Sequence, residues 1–359
     1  MAKVGVVFGG RSVEHEVSLR SARTVAEGLQ EAGHEVVPLG IAPDGGWVDA
    51  ATGAMALAGG MDQLPPGQGS PQATLGHLLD SSAEVFFPIV HGTWGEDGTL
   101  QGLFEMLDLP YVGPGVAPSA VAMDKICCKG QLVAAGLEVV DYETVDRRQF
   151  QDDAVGVIER LERFAPPIFV KPSVGGSSVG ISKVESTDEL TQAVAHALRF
   201  DDRVLVECGV DGRELECAVL GYGEIEASVI GEIVPGKAFY DYADKYLDDG
   251  AQLLAPADVP EETSKRLREI AQQAFRAIGG WGMGRVDFLL DGEHAYINEI
   301  NTLPGFTSIS MYPVLWGHSG LPLPNLVDRL VQIAFERHGD RRRLDEGIKA
   351  WIAELSESS

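Results

Sequence analysis

The 359-residue sequence predicts an α/β protein, and three observations support this prediction. The first third alternates apolar runs of strand length with helical stretches, a pattern typical of a parallel sheet with helical connections. The stretch PIFVKPSVGGSSVGISKV indicates a strand, a glycine-rich loop and a second strand. From about residue 212 most segments are of strand type, and one long helix interrupts them.

In the first third, KVGVVFGG, HEVVPLGI and EVFFPIVHG are predicted strands. SLRSARTVAEGLQEAG, which Gly33 closes, and TLQGLFEMLD are predicted helices. Residues 51–76 are rich in Ala, Gly, Pro and Gln and are expected to form a surface insertion. The Gly-Pro-Gly turn at 113–115 indicates a domain boundary.

Beyond that turn, SAVAMDKICCKGQLVAAG is predicted to form one helix, and DELTQAVAHAL and EETSKRLREIAQQAFRAIG two more. The remaining predicted strands are RVLVEC, ELECAVLG, IEASVIGEI, RVDFLL and AYINEI. The acidic C-terminal tail is expected to be helical and peripheral.

The net charge of −26 argues against non-specific nucleic-acid binding, which needs a cationic surface. It also opposes the approach of an anionic substrate, so local cations must attract one. No signal peptide or membrane span fits the sequence. Cys127, Cys128, Cys208 and Cys217 lack metal-ligand spacing and are expected to be buried, reduced thiols. These features predict a cytoplasmic protein without a membrane partner.

The stretch YINEINTLPGFTSIS places Glu299 and Asn301 two residues apart on a predicted strand, where side chains share a face. A three-residue hairpin loop at 292–294 would set Asp287 opposite Glu299 and Arg285 opposite Asn301, whereas a one-residue slip would break this register. Three hard oxygen ligands on one patch suit Mg²⁺ bound together with phosphate oxygens.

Four further stretches have compositions suited to ligand binding, although each also has an ordinary structural explanation. KPSVGGSSVG, 171–180, could form an anion nest beside Lys171 or a plain hairpin turn, and it is not a Walker A loop because no GK[ST] follows. VLVECGVDGRELECAV could hold an adenine edge and ribose hydroxyls, or simply carry surface glutamates. FYDYADKYLDDG, 239–250, suits a mobile lid or a rim strand with a polar loop. GGRSVEHEVSL, 9–19, could receive a carboxylate at a helix N-terminus or be a routine turn.

In their order along the chain, the motifs GGRSVEHEVSL, HGTWGEDGTLQG, AVAMDK, FVKPSVGGSSVGISKV, FYDYADKY, GRVDFLL and NEINTLPGFTSISMYP resemble the D-alanine–D-alanine ligases of the ATP-grasp superfamily. The resemblance runs from about residue 3 to 335. It implies an ATP-grasp fold of three α/β domains, with a Rossmann-like parallel sheet first and ATP between the central and C-terminal domains. The corresponding divisions are 1–114, 115–206 and 207–359, with a lid loop at about 236–252.

The resemblance also implies residue roles. Asp287, Glu299 and Asn301 would hold two Mg²⁺ ions, which Mn²⁺ could replace, and a monovalent cation is left open. The implied ATP contacts are Lys125, Lys171, Ser173, Ser177, Ser178, Glu207, Cys208, Val210, Glu214 and Lys245, those of 207–210 being main-chain contacts to adenine.

The implied reaction joins two D-alanines through a D-alanyl phosphate, for peptidoglycan precursors in a bacterial cytoplasm. Arg285 and the Gly305 N–H would stabilise the tetrahedral oxyanion. Glu14, with His91 near it, would receive the first D-alanine, and Lys245 and Ser310 the second carboxylate. Ser177 and Tyr246 would form a triad with Glu14.

The resemblance further implies a homodimer. Ligases that form D-alanyl-D-lactate or D-alanyl-D-serine share most of these motifs, but Tyr246 is typical of the dipeptide-forming type. A non-catalytic nucleotide-binding module is the alternative from another class, and it would be expected to lack metal ligands or lid residues.

Overall fold

The strands form three separate sheets in the computed structural model, which describes residues 1–67, 76–234 and 252–357. One sheet is parallel and has three strands, and the other two are antiparallel with four and five. The predicted α/β class and the N-terminal parallel sheet are therefore confirmed.

The N-terminal sheet has β1 at its centre, with the order β2-β1-β3. Its strands and helices are β1 (Lys3–Gly9), α1 (His15–Glu31), β2 (Glu35–Ile41), α2 (Ala50–Leu57), β3 (Val85–Pro88) and α3 (Thr99–Met106). Six consecutive residues of β1 are buried, as expected for a central parallel strand covered on both faces. Helix α1 begins three residues earlier than predicted and ends before Gly33, whose φ is +86°.

Part of the expected surface insertion belongs to the N-terminal core, so that expectation was wrong. The side chain of Asp49 caps α2 by accepting a hydrogen bond from the N–H of Thr52 at 2.7 Å. Ala56 and Leu64 are fully buried in the cluster that includes β1 and α1. The alanines that suggested a loop instead favour a helix, since Ala has the highest helix propensity.

The middle of the chain starts with two helices where one was predicted. They are α4 (Val116–Met123) and α5 (Lys125–Ala134). Asp124 interrupts the helix with φ −90° and ψ 102°, and its Oδ1 accepts hydrogen bonds from the N–H groups of Ile126 and Cys127 at 3.1 Å. The break follows from the preference of Asp for an N-cap over a helix interior.

The four-stranded sheet follows, in the order β4-β7-β5-β6. Its elements are β4 (Tyr142–Asp146), α6 (Arg147–Asp152), α7 (Ala154–Leu161), β5 (Ile168–Pro172), β6 (Ser182–Val184), a 3₁₀ turn (Thr187–Glu189), α8 (Leu190–Ala197) and β7 (Arg203–Cys208). The predicted strand–loop–strand of the glycine-rich segment is confirmed, because β5 and β6 pair antiparallel across it.

The five-stranded sheet has the order β10-β9-β8-β11-β12. Its elements are β8 (Arg213–Tyr222), β9 (Glu224–Val234), β10 (Gln252–Leu254), α9 (Glu261–Ala277), β11 (Gly282–Asp291), β12 (His294–Asn301), α10 (Met311–His318) and α11 (Leu323–Glu357). Helix α9 buries Leu267, Ala271 and Phe275 in a cluster that also contains Cys128 and Leu132 of α5. Helices α10 and α11 share a second cluster with α1, β1 and β8.

The three sheets succeed one another along the chain as the three expected domains do, and the divisions at 114 and 206 remain predictions. Strand β7 continues through 206 to Cys208. Helix α11 joins the N-terminal core although it follows the five-stranded sheet in sequence. Within the described residues, no helix combines the length and hydrophobicity that crossing a membrane requires.

Replacing Leu330 by alanine is expected to lower the free energy of unfolding by about 2–5 kcal/mol, because a fully buried leucine leaves a cavity. Leu344 lies further along the same helix with 68% of its surface exposed, so Leu344→Ala should cost less than about 0.5 kcal/mol. Denaturant unfolding of both variants measures this difference. Equal losses would show that α11 does not dock as described.

Candidate active site

A cavity of about 1080 Å³ lies where the three sheets meet. It is lined by most of the residues that the sequence singled out: Glu14, His91, Lys125, Lys171, Ser177, Ser178, Glu207, Cys208, Val210, Glu214, Arg285, Asp287, Glu299, Asn301, Gly305 and Ser310. Lys245, Tyr246 and nearly all of the expected lid at 236–252 lie outside the described residues. The fold thus brings together residues that are almost 300 positions apart in sequence.

Ser173, which was expected to contact ATP, is not among the residues that line this cavity. Its Oγ donates to Oδ1 of Asp124 at 2.6 Å, and the residue is fully buried. Its carbonyl oxygen accepts a hydrogen bond from the N–H of Lys125 at 2.8 Å. The hydroxyl group of Ser173 therefore donates its hydrogen bond to Asp124, the residue that caps α5.

The hairpin of β11 and β12 has the predicted register but not the predicted loop. Asp287 pairs with Glu299 and Arg285 with Asn301, as expected. However, Asp291 pairs with His294, so the loop has two residues instead of three. A β-bulge opposite the step from Asp287 to Phe288 inserts the extra residue and restores the register.

Arg285 and Asn301 both bind the carboxylate of Asp287. Nε and Nη2 of Arg285 each lie 2.7 Å from an oxygen of Asp287, and Nδ2 of Asn301 donates to Oδ2 at 2.9 Å. Glu216, which was not predicted from the sequence, lies on the neighbouring strand β8. Its Oε2 lies 3.2 Å from Nε of Arg285. Burial alone would lower the pKa of Arg285, but Asp287 and Glu216 raise it well above its ordinary value.

Glu216 could have been found from its spacing. It follows Glu214 by two residues on a predicted strand, so both side chains share a face. In the sheet, Glu214 pairs with Leu289 and Glu216 with Asp287, on the face that meets the cavity.

The donor set of this face fits a hard divalent cation. Asp287 and Glu299 supply carboxylates and Asn301 a carboxamide oxygen, the ligand types that Mg²⁺ takes from proteins while keeping sites for water and phosphate. Among the described residues, no three His, Cys, Asp or Glu side chains are arranged to hold a metal by themselves. A cation here would therefore need the carboxamide and substrate oxygens as ligands.

Lys125 and Lys171 line the cavity, and the buried Lys129 lies behind its wall. Lys171 pairs with Oε1 of Glu207, and Nζ of Lys129 lies 3.1 Å from Oε2 of the same carboxylate. Nζ of Lys125 donates to the carbonyl of Gly175 at 2.6 Å in the glycine-rich loop. Burial would raise the pKa of Glu207, but Lys171 and Lys129 lower it to about 2. Glu207 is therefore an ionised carboxylate whose side chain faces lysines.

Lys129 was missed by the sequence reasoning, although it lies four residues after Lys125 and so on the same face of a helix. In the adjoining segment, the N–H of Cys208 donates to the carbonyl of Asp141 at 3.2 Å. That N–H is thus committed to the protein instead of to a ligand.

The glycine-rich loop reaches Glu14 at the start of α1. Ser177 and Ser178 have φ values of +51° and +59°, a left-handed conformation that is costly for residues other than glycine. A Cβ on Gly176 would lie 3.2 Å from Oε2 of Glu14, and one on Gly92 would lie 2.6 Å from it. Gly92 and Gly176 thus flank the Glu14 carboxylate, and a side chain at either position would crowd it.

His91 is buried and tied to the segment that follows β12. Its Nε2 lies 2.8 Å from Oγ of Ser21, and its Nδ1 lies 3.0 Å from the carbonyl of Leu303 and 3.4 Å from Oε1 of Glu96. Burial lowers the pKa of His91, but Glu96 outweighs it and the net shift is upward, while burial raises the pKa of Glu96 itself. Ser21 also accepts a hydrogen bond from the N–H of Phe306 at 3.2 Å.

Neither Ser21 nor Glu96 was predicted from the sequence. The partners of Ser21 are distant in the chain, and Glu96 meets His91 only because a turn lies between them. At the end of the same segment, a Cβ on Gly305 would lie 2.9 Å from Oγ of Ser310. Gly305 and Ser310 are therefore in direct proximity.

Family models match most of this chain. Residues 3–114 match the model described as D-ala D-ala ligase N-terminus, and residues 132–332 match D-ala D-ala ligase C-terminus. The chain belongs to the D-alanine–D-alanine ligase family. The resemblance inferred from the motifs is thereby confirmed.

Curated relatives and solved structures agree with this membership. The chain is 42% identical to the D-alanine–D-alanine ligase of Acetivibrio thermocellus over 94% of this chain and 97% of the relative. It is 44% identical to that of Solibacter usitatus over 95% and 97%. The D-alanine–D-alanine ligase structure from Coxiella burnetii has a TM-score of 0.82 at 37% identity, covering 98% of this chain and 99% of that one. The VanG D-Ala:D-Ser ligase from Enterococcus faecalis has a TM-score of 0.78 at 32% identity, covering 93% and 99%.

Glu207 is expected to make stability depend on pH in the acid range. The pKa of Glu207 in the folded protein, about 2, is below its ordinary value of 4.5. Its contribution to the free energy of unfolding is therefore complete above about pH 4.5 and is lost as the pH falls towards 2. Glu207→Gln should lower stability at neutral pH and flatten this acid decline, measured as Tm against pH. Glu269→Gln, at an exposed position on α9, should leave the decline unchanged. An equally steep decline in Glu207→Gln would contradict the ionised, lysine-paired state.

Proposed function

We propose that this protein is an ATP-dependent ligase that joins two D-alanine molecules into D-alanyl-D-alanine. The observation that carries the proposal is the convergence, in one cavity, of Lys125 and Lys171, a carboxylate and carboxamide patch, Arg285 and Gly305. A ligation driven by ATP needs these three parts for phosphate binding, charge neutralisation and oxyanion stabilisation.

ATP is proposed to lie between the four-stranded and five-stranded sheets. Lys125 and Lys171 would contact its phosphates, and the loop with Ser177 and Ser178 would cover them. Main-chain groups of 207–210 would receive the adenine and Glu214 the ribose. The location of Lys125, Lys171 and Glu214 on the walls of one cavity supports this arrangement.

Asp287, Glu299 and Asn301 would hold two Mg²⁺ ions, replaceable by Mn²⁺, and bound metal would supply charge neutralisation at the transferring phosphoryl group. Arg285 also forms ion pairs with Asp287 and Glu216. The arrangement keeps these carboxylates paired before a substrate arrives.

In the proposed reaction the carboxylate of one D-alanine attacks the γ-phosphorus of ATP, so a carboxyl-oxygen–phosphorus bond forms and ADP leaves. The deprotonated amine of the second D-alanine then attacks the acyl carbon, the amide bond forms and inorganic phosphate leaves. Arg285 and the Gly305 N–H would stabilise the oxyanion of the second step.

Different residues are proposed to orient the two D-alanine molecules. Glu14, enclosed by Gly92 and Gly176, would bind the first ammonium group, and His91 would hold the adjoining segment in place. Ser310 would bind the second carboxylate together with Lys245. The triad of Glu14, Ser177 and Tyr246 would tie the lid over the site. The lid partners are outside the described residues.

The second candidate is a ligase that uses D-serine or D-lactate as the second substrate. The structural similarity to a D-Ala:D-Ser ligase favours keeping it, whereas Tyr246 favours the dipeptide. A binding module without turnover is disfavoured, because the metal-type and oxyanion residues are all present. We further propose a homodimer acting in peptidoglycan precursor synthesis in a bacterial cytoplasm.

The deciding assay is phosphate release with ATP and Mg²⁺ across D-alanine, L-alanine, and D-alanine mixed with D-serine or D-lactate. D-alanine-dependent release with D-alanyl-D-alanine as the main product is expected. A mixed dipeptide or a depsipeptide as the main product would favour the second candidate. No release that depends on a D-amino acid would overturn the ligase assignment.

Glu299→Gln is expected to reduce ligation by about 10³-fold or more, because a lost carboxylate ligand weakens a metal contribution of several kcal/mol. Binding of Mn²⁺, followed by electron paramagnetic resonance, should weaken in parallel. Glu293→Gln, in the exposed loop of the same hairpin, is the matched control and should retain both properties. Full activity or unchanged Mn²⁺ binding in Glu299→Gln would refute the metal assignment.

A further inference from the structure

Two lysines share one buried carboxylate at the wall of the cavity. Glu207 and Lys129 are each only 2% exposed, and Lys171 is 13% exposed. Glu207 lies on β7, Lys171 on the neighbouring strand β5, and Lys129 on helix α5. The group carries a net charge of +1, and all its charges are largely removed from water.

The two lysines differ in what they can reach. Lys171 lines the cavity together with Glu207, whereas Lys129 is absent from its walls. The ammonium of Lys129 lies behind the carboxylate, 3.1 Å from Oε2 and 5.9 Å from the centre of the Tyr142 ring. Lys129 therefore meets the cavity through Glu207 and not directly.

The ion pair between Lys171 and Glu207 opposes the proposed role of Lys171. To contact a phosphate, the ammonium of Lys171 has to turn away from Glu207. A buried carboxylate that loses its only cation is strongly destabilised, because neither water nor another charge compensates it. The second lysine removes this obstacle, since Glu207 remains paired after Lys171 leaves.

We propose that Lys129 is a positioning residue that stays with Glu207 as its counter-ion while Lys171 transfers from Glu207 to the nucleotide phosphates. The inference rests on the proposed nucleotide site. Loss of Lys129 should therefore weaken the binding of the phosphates more than the binding of adenosine, because only the phosphates require Lys171 to move away from Glu207.

The test compares the binding of ADP and adenosine to the full-length protein by calorimetry, with Mg²⁺ present. Lys129→Met should weaken ADP binding by about tenfold or more and change adenosine binding by less than about twofold, since Lys171 is then the one cation paired with Glu207 among the described residues. The KM for ATP should rise with it, while the KM for D-alanine stays within about twofold. Lys129→Arg should restore most of the ADP affinity, because it restores the charge.

A double variant gives the sharpest result. Lys129→Met combined with Glu207→Gln should bind ADP at least about threefold more tightly than Lys129→Met alone, because a neutral glutamine needs no counter-ion and leaves Lys171 free. Lys349→Met, at an exposed position on α11, controls for the substitution itself and should change neither ligand. If Lys129→Met does not fold, Lys129→Gln, which keeps a polar side chain at the same position, replaces it in every comparison.

Three results would overturn the inference: unchanged ADP binding in Lys129→Met, equal weakening of ADP and adenosine, or a double variant that binds ADP as weakly as the single one. Equal weakening would show that Lys129 merely supports the backbone of 207–210. Failure of the proposed function has a different signature, since the unsubstituted protein would then release no phosphate in response to D-alanine.

Discussion

Pairing of buried opposite charges is the constraint on which the cavity depends. Its walls carry carboxylates and cations that would each be unfavourable alone in a partly desolvated space. Arg285 pairs with Asp287 and Glu216 on the five-stranded sheet, and two lysines pair with Glu207 on the four-stranded sheet. Glu216 reaches Arg285 from the neighbouring strand, and the two cations beside Glu207 come from a neighbouring strand and a helix, so these charges are paired only once each sheet has assembled.

Each of the three sheets contributes a different part of the site, and hydrogen bonds connect them. Ser21 of α1 contacts both His91, after β3, and the N–H of Phe306, after β12. The helix that follows the five-stranded sheet packs into the N-terminal core. The N-terminal sheet is thereby fixed relative to the segment containing Gly305 and Ser310, which a reaction between two substrates requires. The lysine group also suits a protein of net charge −26, because a local positive potential is needed to attract a polyanion.

The hairpin of β11 and β12 shows how a correct prediction can rest on two deviations that cancel. A shorter loop moves the register by one residue, and the bulge at Asn298 moves it back. The buried positions Ala295, Ile297 and Ile300 reveal the bulge in hindsight, since a regular strand would bury alternate residues throughout. Glu299 and Asn301 keep their shared face because both follow the bulge.

The sequence by itself determined the α/β class, most strands, the longer helices, and many of the residues that meet in the cavity. These features follow from local periodicity and from motifs whose residue types are short-range properties of the chain. Even there, local reasoning joined α4 and α5 into one helix, because the capping preference of Asp124 competes with the helical pattern around it.

The tertiary structure alone decided which polar groups became partners. Ser173 turns to Asp124 instead of the cavity, Glu207 faces Lys129 as well as Lys171, and His91 contacts a carbonyl 212 residues away. Such choices depend on distances between elements that no local pattern encodes. Buried charges and hydroxyls must find partners wherever packing places them, and the three-dimensional arrangement of the sheets determines which partners are within reach.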